Sequence, residues 1–201
     1  MRCLLVHREA DLGEAWRKHF YRQRDVEIVS EDICTIDCDA VVSPANSFGF
    51  MDGGLDLDLA NRFTPAVEQY LQAAIAQRAI GELLVGEAVV VATNDNMVPW
   101  LIAAPTMRVP MRLRQSVNAY LAMKAILAVA AAHNRDPAIE TIAIPGLGTG
   151  VGGLPIETAA MQMWTAYSEV VLQVRSYPAD FGEAQMRHVT LNPEEINLWD
   201  V

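Results

Sequence analysis

The chain has 201 residues, enough for one domain with a sizeable core. Apolar residues make up 52% of it, yet no apolar run reaches membrane-span length, and the start Met1-Arg2-Cys3-Leu4-Leu5-Val6-His7 is too short a run for a signal peptide. The formal net charge of −10 argues against sequence-independent nucleic-acid binding, which needs a basic face.

An odd cysteine count, three, speaks against a disulfide framework and makes a cytoplasmic location the expectation. Cys34 and Cys38 have no second pair and no neighbouring histidine, so they read as ordinary thiols; neither a metal site nor a cofactor is expected.

In chain order, Arg2 to His7 reads as a first strand. Leu12, Trp16, His19 and Phe20 lie near one helical face, which predicts a helix over Asp11 to Arg22. Val26 to Ser30 alternates and predicts a strand. His7 and His19 lack acid partners in sequence and read as surface or core-edge residues. Ala40 to Val42, small or β-branched, predict a short buried strand that Pro44 ends by lacking an N–H.

Asn46 then stands at the strand's C-terminal end, where open α/β sheets place ligand-binding groups. Gly53-Gly54 lets a ligand approach the main chain, and the helix that follows aims free N–H groups back at the same loop. Thr64-Pro65 reads as a further helix start, with Val67, Tyr70, Leu71, Ala74 and Ile75 on one apolar face. Gly86 to Thr93 and Trp100 to Ala104 predict an antiparallel strand pair around the turn Asn94-Asp95-Asn96. Thr106 to Arg114 is a connection with three arginines, read either as a ligand rim or as a solvated loop.

Gln115 to His133 predicts a long helix, apolar enough to be covered on more than one side. Thr141 to Ile144 is another short strand. It leads into Pro145-Gly146-Leu147-Gly148-Thr149-Gly150-Val151-Gly152-Gly153, whose five glycines suggest a backbone cradle for phosphate. The lysine-containing phosphate loop and the dinucleotide fingerprint are both absent. Ile156, Ala159, Ala160, Met163, Tyr167, Val170, Val171 and Val174 predict the next helix, with its methionine and aromatic residues in the core. Met186 to Leu191 reads as a final strand, and Asn192-Pro193-Glu194-Glu195 as the opening of a short helix.

Three stretches resemble the macrodomain family. Asp39-Ala-Val-Val-Ser-Pro-Ala-Asn46 with Gly53-Gly54-Leu55-Asp56 is similar to the pattern D-A-[IV]-V-N-A-A-N … G-G-[VI]-D. Gly148 to Gly153 is similar to S-T-G-[IV]-[YF]-G, and Glu31-Asp32-Ile33 carries the family's upstream Asp-Ile pair. The resemblance covers about residues 1–175 and implies a single macrodomain-like domain over 1–201, with about 176–201 as a C-terminal extension. Strands alternating with helices predict an α/β, three-layer α/β/α fold; the resemblance adds a mixed central sheet with the ligand across the strand ends.

The implied ligand is ADP-ribose or an ADP-ribosylated macromolecule. By resemblance, Asp32 accepts from the adenine amino group and the Ile33 N–H serves a ring nitrogen. Gly53, Gly54, Leu55, Gly148, Thr149, Gly150, Val151 and Gly152 take the phosphates and ribose. Asn46 contacts the distal ribose, and Asp56 positions or deprotonates a water in hydrolytic relatives. The residues alone also allow plainer roles: Asp32 as a turn acid or helix cap, Asn46 as a loop-ordering amide, and Asp56 as a helix-N-terminal carboxylate.

Three departures stand out. Ser43 replaces the family's first asparagine, Met51-Asp52 shortens the glycine run, and Gly152 falls where an aromatic residue packs on the distal ribose. Phe48 and Phe50 either supply that aromatic wall or anchor the loop in the core. The expected function is ADP-ribose binding with hydrolysis at the distal ribose. The alternatives are a non-enzymatic reader, an interaction domain that has lost the ligand, as in small phage-related macrodomain-like chains, and a phosphatase acting on ADP-ribose 1″-phosphate.

Overall fold

The computed structural model describes residues 1–63, 66–174 and 177–192. Short apolar runs form its six strands: β1 (Arg2–His7), β2 (Val26–Ser30), β3 (Ala40–Ser43), β4 (Val89–Ala92), β5 (Trp100–Ala103) and β6 (Thr141–Ile144). They make one sheet in the order β2-β1-β6-β3-β5-β4. Every neighbouring pair is parallel except β4 and β5, so the sheet is mixed and the predicted hairpin is antiparallel. The helices are α1 (Ala10–His19), α2 (Gly54–Arg62), α3 (Val67–Ala76), α4 (Asn118–Ala131), α5 (Ile156–Val170) and α6 (Phe181–Leu191).

Strand side chains alternate between faces, and the two faces feed two cores. Cys3, Leu5, Ala40, Val42, Ile142 and Ile144 point to one side and pack with Trp16 of α1, Met123 and Ile126 of α4, and Met163 of α5. Leu4, Val6, Val41, Leu101 and Ala143 point to the other and pack with Leu59 of α2 and Leu71 and Ile75 of α3. The result is the three-layer α/β/α arrangement that the alternation of elements predicts. The buried residues of α4, Ala119, Ala122, Met123, Ile126, Leu127 and Ala130, form one stripe at helical spacing, so this helix is covered chiefly on one side although its sequence is apolar nearly all round.

Two further expectations change. Residues Met186 to Leu191 form no strand; they are the second half of α6. The reason lies upstream: Asp180 caps the helix by accepting from the Glu183 N–H at 2.8 Å, and Glu183 reaches back to the Ala179 N–H at 2.7 Å. The Asp-x-x-Glu spacing is a capping signal that outweighs a few alternating apolar residues. His7 is also more deeply placed than a core-edge residue, at 5% exposure, with its ring against Gly13 of α1. The helix starts expected at Thr64-Pro65 and from Pro193 onward lie outside the described residues.

Candidate functional site

The C-terminal ends of β1, β3 and β6 open into two adjoining cavities. One, of about 360 Å³, lies between the loop after β3, the loop after β6 and the connection that follows β5. The other, of about 330 Å³, lies between the end of β1, the turn after β2 and the start of α2. Gly54, Leu55, Gly146 and Thr149 line both, and so form a waist between two compartments.

Backbone geometry builds the waist. Gly54 opens α2 with φ +58°, a left-handed conformation that a side chain disfavours. A Cβ at Gly53, Gly54 or Gly150 would meet nothing within 4 Å, so the main chain is approachable there. The first-turn N–H groups of α2 have no partner within the helix and carry its positive dipole end. Among the described residues, the N–H groups of Thr149, Gly150 and Val151 likewise donate to no protein acceptor. Main-chain donors without protein partners therefore lie on two loops that line the cavity, and none of the residues that line both compartments carries a charge.

The larger compartment contains the side chains expected to do chemistry. Asp56 sits in the first turn of α2 and accepts a hydrogen bond from the Ser43 hydroxyl at 2.7 Å. Burial pushes its carboxyl up to about 6, with Asp52 raising it further and the Ser43 hydrogen bond opposing the rise. Asn46 lines the same compartment, and its amide also orders the loop. Its oxygen accepts from the Phe48 and Phe50 N–H groups at 3.1 and 3.3 Å, and its nitrogen donates to the Phe50 carbonyl at 2.8 Å. One amide N–H is left over for a ligand.

Gly53, Gly54, Leu55, Gly148, Thr149, Gly150, Val151 and Gly152 all line this compartment with Asn46 and Asp56. Gly152, the position of the family's aromatic residue, is buried, and a Cβ there would stand 2.5 Å from the Gly148 carbonyl and 2.8 Å from Leu113. Leu113 fills the space, so no aromatic side chain fits. Phe50 provides a wall instead: it lines the cavity at 55% exposure and does not anchor the loop in the core. Phe48 is half-buried under the Arg108 guanidinium, which forms a two-pronged ion pair with Glu82.

At the smaller compartment Ile33 and Glu31 are lining residues, while Asp32 stands just outside the lining. Asp32 caps the 3-10 turn Ile33–Thr35 by accepting from the Cys34 N–H at 2.9 Å, which holds its carboxyl below the usual carboxylate range, and it pairs with Arg8. Arg8 also approaches Asp58 at 3.9 Å, so an ion-pair strap crosses the outer side. The cysteines are free thiols; burial pushes Cys3 up to about 12 and Cys38 up to about 11.

Sequence reasoning missed several contributors. Ser43 counted only as a departure, and its partnership with Asp56 spans 13 residues with no periodic signal. The connection from Thr106 to Arg114, read as either a ligand rim or a solvated loop, does reach the lining through Thr106, Met107 and Pro110; the isolated parallel contact of Met107 with Asn46 that brings it there is encoded by no local pattern. Arg8 is recognisable only once β1 and β2 lie side by side.

With this geometry in hand, the similarities to other proteins are specific. The Macro domain family model matches residues 42–163. An uncharacterized protein of Aquifex aeolicus is 33% identical over 176 residues, which span 88% of this chain and 96% of that protein. Among solved structures, the macrodomain of Mycobacterium tuberculosis DarG is 26% identical, with a TM-score of 0.57 over 70% of this chain and 88% of its own. A variant of the Oceanobacillus iheyensis macrodomain with ADPR reaches a TM-score of 0.60 over 82% and 91% at 17% identity, a likeness of fold alone.

Proposed function

The chain belongs to the macro domain family, and from this premise we propose that it binds ADP-ribose, free or attached to a macromolecule, and hydrolyses the bond at the distal ribose. The observation that carries the reading is the two-compartment groove with a waist of backbone donors. A pyrophosphate needs fixed donors and no bulky side chains; a nucleoside and a second ribose need a chamber on either side. The net charge of −10 does not oppose such a ligand, because its partners at the waist are main-chain dipoles. The ADPR held by the Oceanobacillus iheyensis variant supports the same ligand class.

In this reading adenine occupies the smaller compartment, with the Ile33 N–H on a ring nitrogen and Asp32 at its rim. The phosphates lie against Gly53 to Leu55 and Gly148 to Gly152. The distal ribose meets Asn46 through the remaining amide N–H, and Phe50 closes the wall. Asp56, raised to about 6, is largely ionised at neutral pH yet basic enough to take a proton. Water adds to the anomeric carbon as its proton passes to Asp56. The bond from that carbon to the leaving group, a protein carboxylate or a nucleobase, breaks with its electron pair on the leaving group.

A non-enzymatic reader is the second reading. It is favoured by Asn46, whose three bonds to its own loop already give the amide a complete ordering role. Turnover of an ADP-ribosylated substrate separates the two.

The test of the shared premise is a calorimetric titration with ADP-ribose, with AMP alongside. Saturable binding, tighter for ADP-ribose than for AMP, is expected because both compartments contribute. Absence of binding in the millimolar range would remove hydrolase and reader together.

A further inference from the structure

We propose that Ser43 is the positioning residue for Asp56, its buried hydroxyl gripping one carboxylate oxygen so that the other is presented to the cleft. The proposal rests on the hydrolytic reading above and adds a residue to it. Ser43 is the last residue of β3 and shares the sheet face of Val41, the face that α2 covers. Its exposure is 0%, and the rest of β3 is apolar, so a serine here needs a reason. Its hydroxyl donates to Asp56 Oδ1 at 2.7 Å. Among the described residues, Oδ2 has no protein partner, and Asp56 lines the cavity.

The direction of dependence follows from relative costs. A desolvated carboxylate beside a second acid is far less favourable than a desolvated hydroxyl. Asp56 therefore gains more from the bond than Ser43 does, and the bond also removes the rotamer freedom of an acid that must meet one water. Burial acts most strongly on Asp56, and Ser43 has the strongest effect among the side chains around it. Asp52, in the same loop, raises it. The facing loop from Gly146 to Gly152 has no charged side chain. In the connection after β5, Arg108 is paired with Glu82 and Arg112 donates to the Val151 carbonyl at 3.1 Å.

Two measurements on Ser43→Ala test the assignment. In turnover of an ADP-ribosylated substrate, kcat is expected to fall about tenfold, because a hydrogen bond to a charged group is lost. KM and ADP-ribose affinity stay within about twofold. The acid limb of the pH profile moves up by about one unit. Ser43→Thr, which keeps the hydroxyl, restores both. An unchanged profile and kcat, or a loss confined to ADP-ribose affinity and Tm, would overturn the assignment.

The second measurement needs no turnover. A carbon-detected NMR titration of the Asp56 carboxyl is expected to shift upward in Ser43→Ala relative to wild type, and identical titrations would refute the coupling. A wild-type protein without hydrolysis defeats the hydrolytic reading, while this titration still decides whether Ser43 controls the acid.

Discussion

The two loops that meet at the waist are built by opposite means. The loop after β3 is held by side chains: Asn46 ties together Phe48 and Phe50, and Ser43 ties β3 to Asp56. The loop after β6 is held mostly by its main chain, with Arg112 adding a side-chain bond to the Val151 carbonyl. Leu154 donates to the Gly148 carbonyl at 3.0 Å, Gly153 to Gly150 at 3.0 Å, and Leu113 to Gly152 at 2.8 Å. The first loop places side-chain chemistry, and the second provides a glycine-rich surface with no charged side chain. Substitutions in the two should therefore fail differently, the first through lost polar groups and the second through added atoms.

The largest effect expected is on catalysis in the side-chain loop. Asp56→Asn keeps an acceptor for Ser43 but removes the base, so turnover should drop by roughly 10²–10⁴-fold with ADP-ribose affinity nearly unchanged. A variant that binds normally and hydrolyses at the wild-type rate would break the distinction between the loops. The same variant should be more stable than wild type at pH 8. Asp56 is raised from its ordinary 3.8 to about 6. The stability tied to its protonation is fully present below about 3.8 and is lost as the pH rises through about 6. The neutral amide of the Asp56→Asn variant does not incur that loss. Its Tm advantage should grow from pH 5 to pH 8, corresponding to about 1–3 kcal/mol.

Next comes the backbone loop. Gly152→Ala places a methyl 2.5 Å from the Gly148 carbonyl, and the backbone must shift. A loss of about 1–3 kcal/mol in denaturant unfolding is expected, together with weaker ADP-ribose binding. Asn46→Ala should cost about 1–2 kcal/mol, since two loop N–H groups lose their acceptor. Calorimetry should show ADP-ribose binding about tenfold weaker while AMP binding is little changed, because the damage is at the distal end. The smallest effect on stability belongs to Gly150→Ala. Nothing lies within 4 Å of its added Cβ, so stability should change by no more than about 0.5 kcal/mol. A several-fold loss of affinity without a Tm change would show that the ligand passes over this main chain.

The same contrast explains what is legible without the structure. The strands are readable because each is a short apolar run between polar breaks, and the glycine loop is readable because its residues carry their conformational freedom with them. Asp56 and Asn46 are readable as positions. Their partners are not: Ser43 meets Asp56 only because the strand's alternation turns it toward α2, and Gly152 is closed by Leu113, 39 residues away in the chain. Helix α6 reads as a strand because a few alternating residues draw attention from a capping pair that starts six residues before them.

The place of β6 in the sheet also governs how the molecule comes into being. It lies between β1 and β3, although it begins 98 residues after β3 ends and 134 after β1 ends, and the Asp39 carboxylate completes the join by accepting from the Glu140 and Thr141 N–H groups at 2.9 and 2.7 Å. A nascent chain emerging from the ribosome can dock β1 against β2 and β3 against β5, yet the two halves stay unjoined, each with an open strand edge, until residue 144 is out. The groove, whose walls come from both halves, therefore requires β6 in place, and a chain released before that point exposes two sticky edges and has no site.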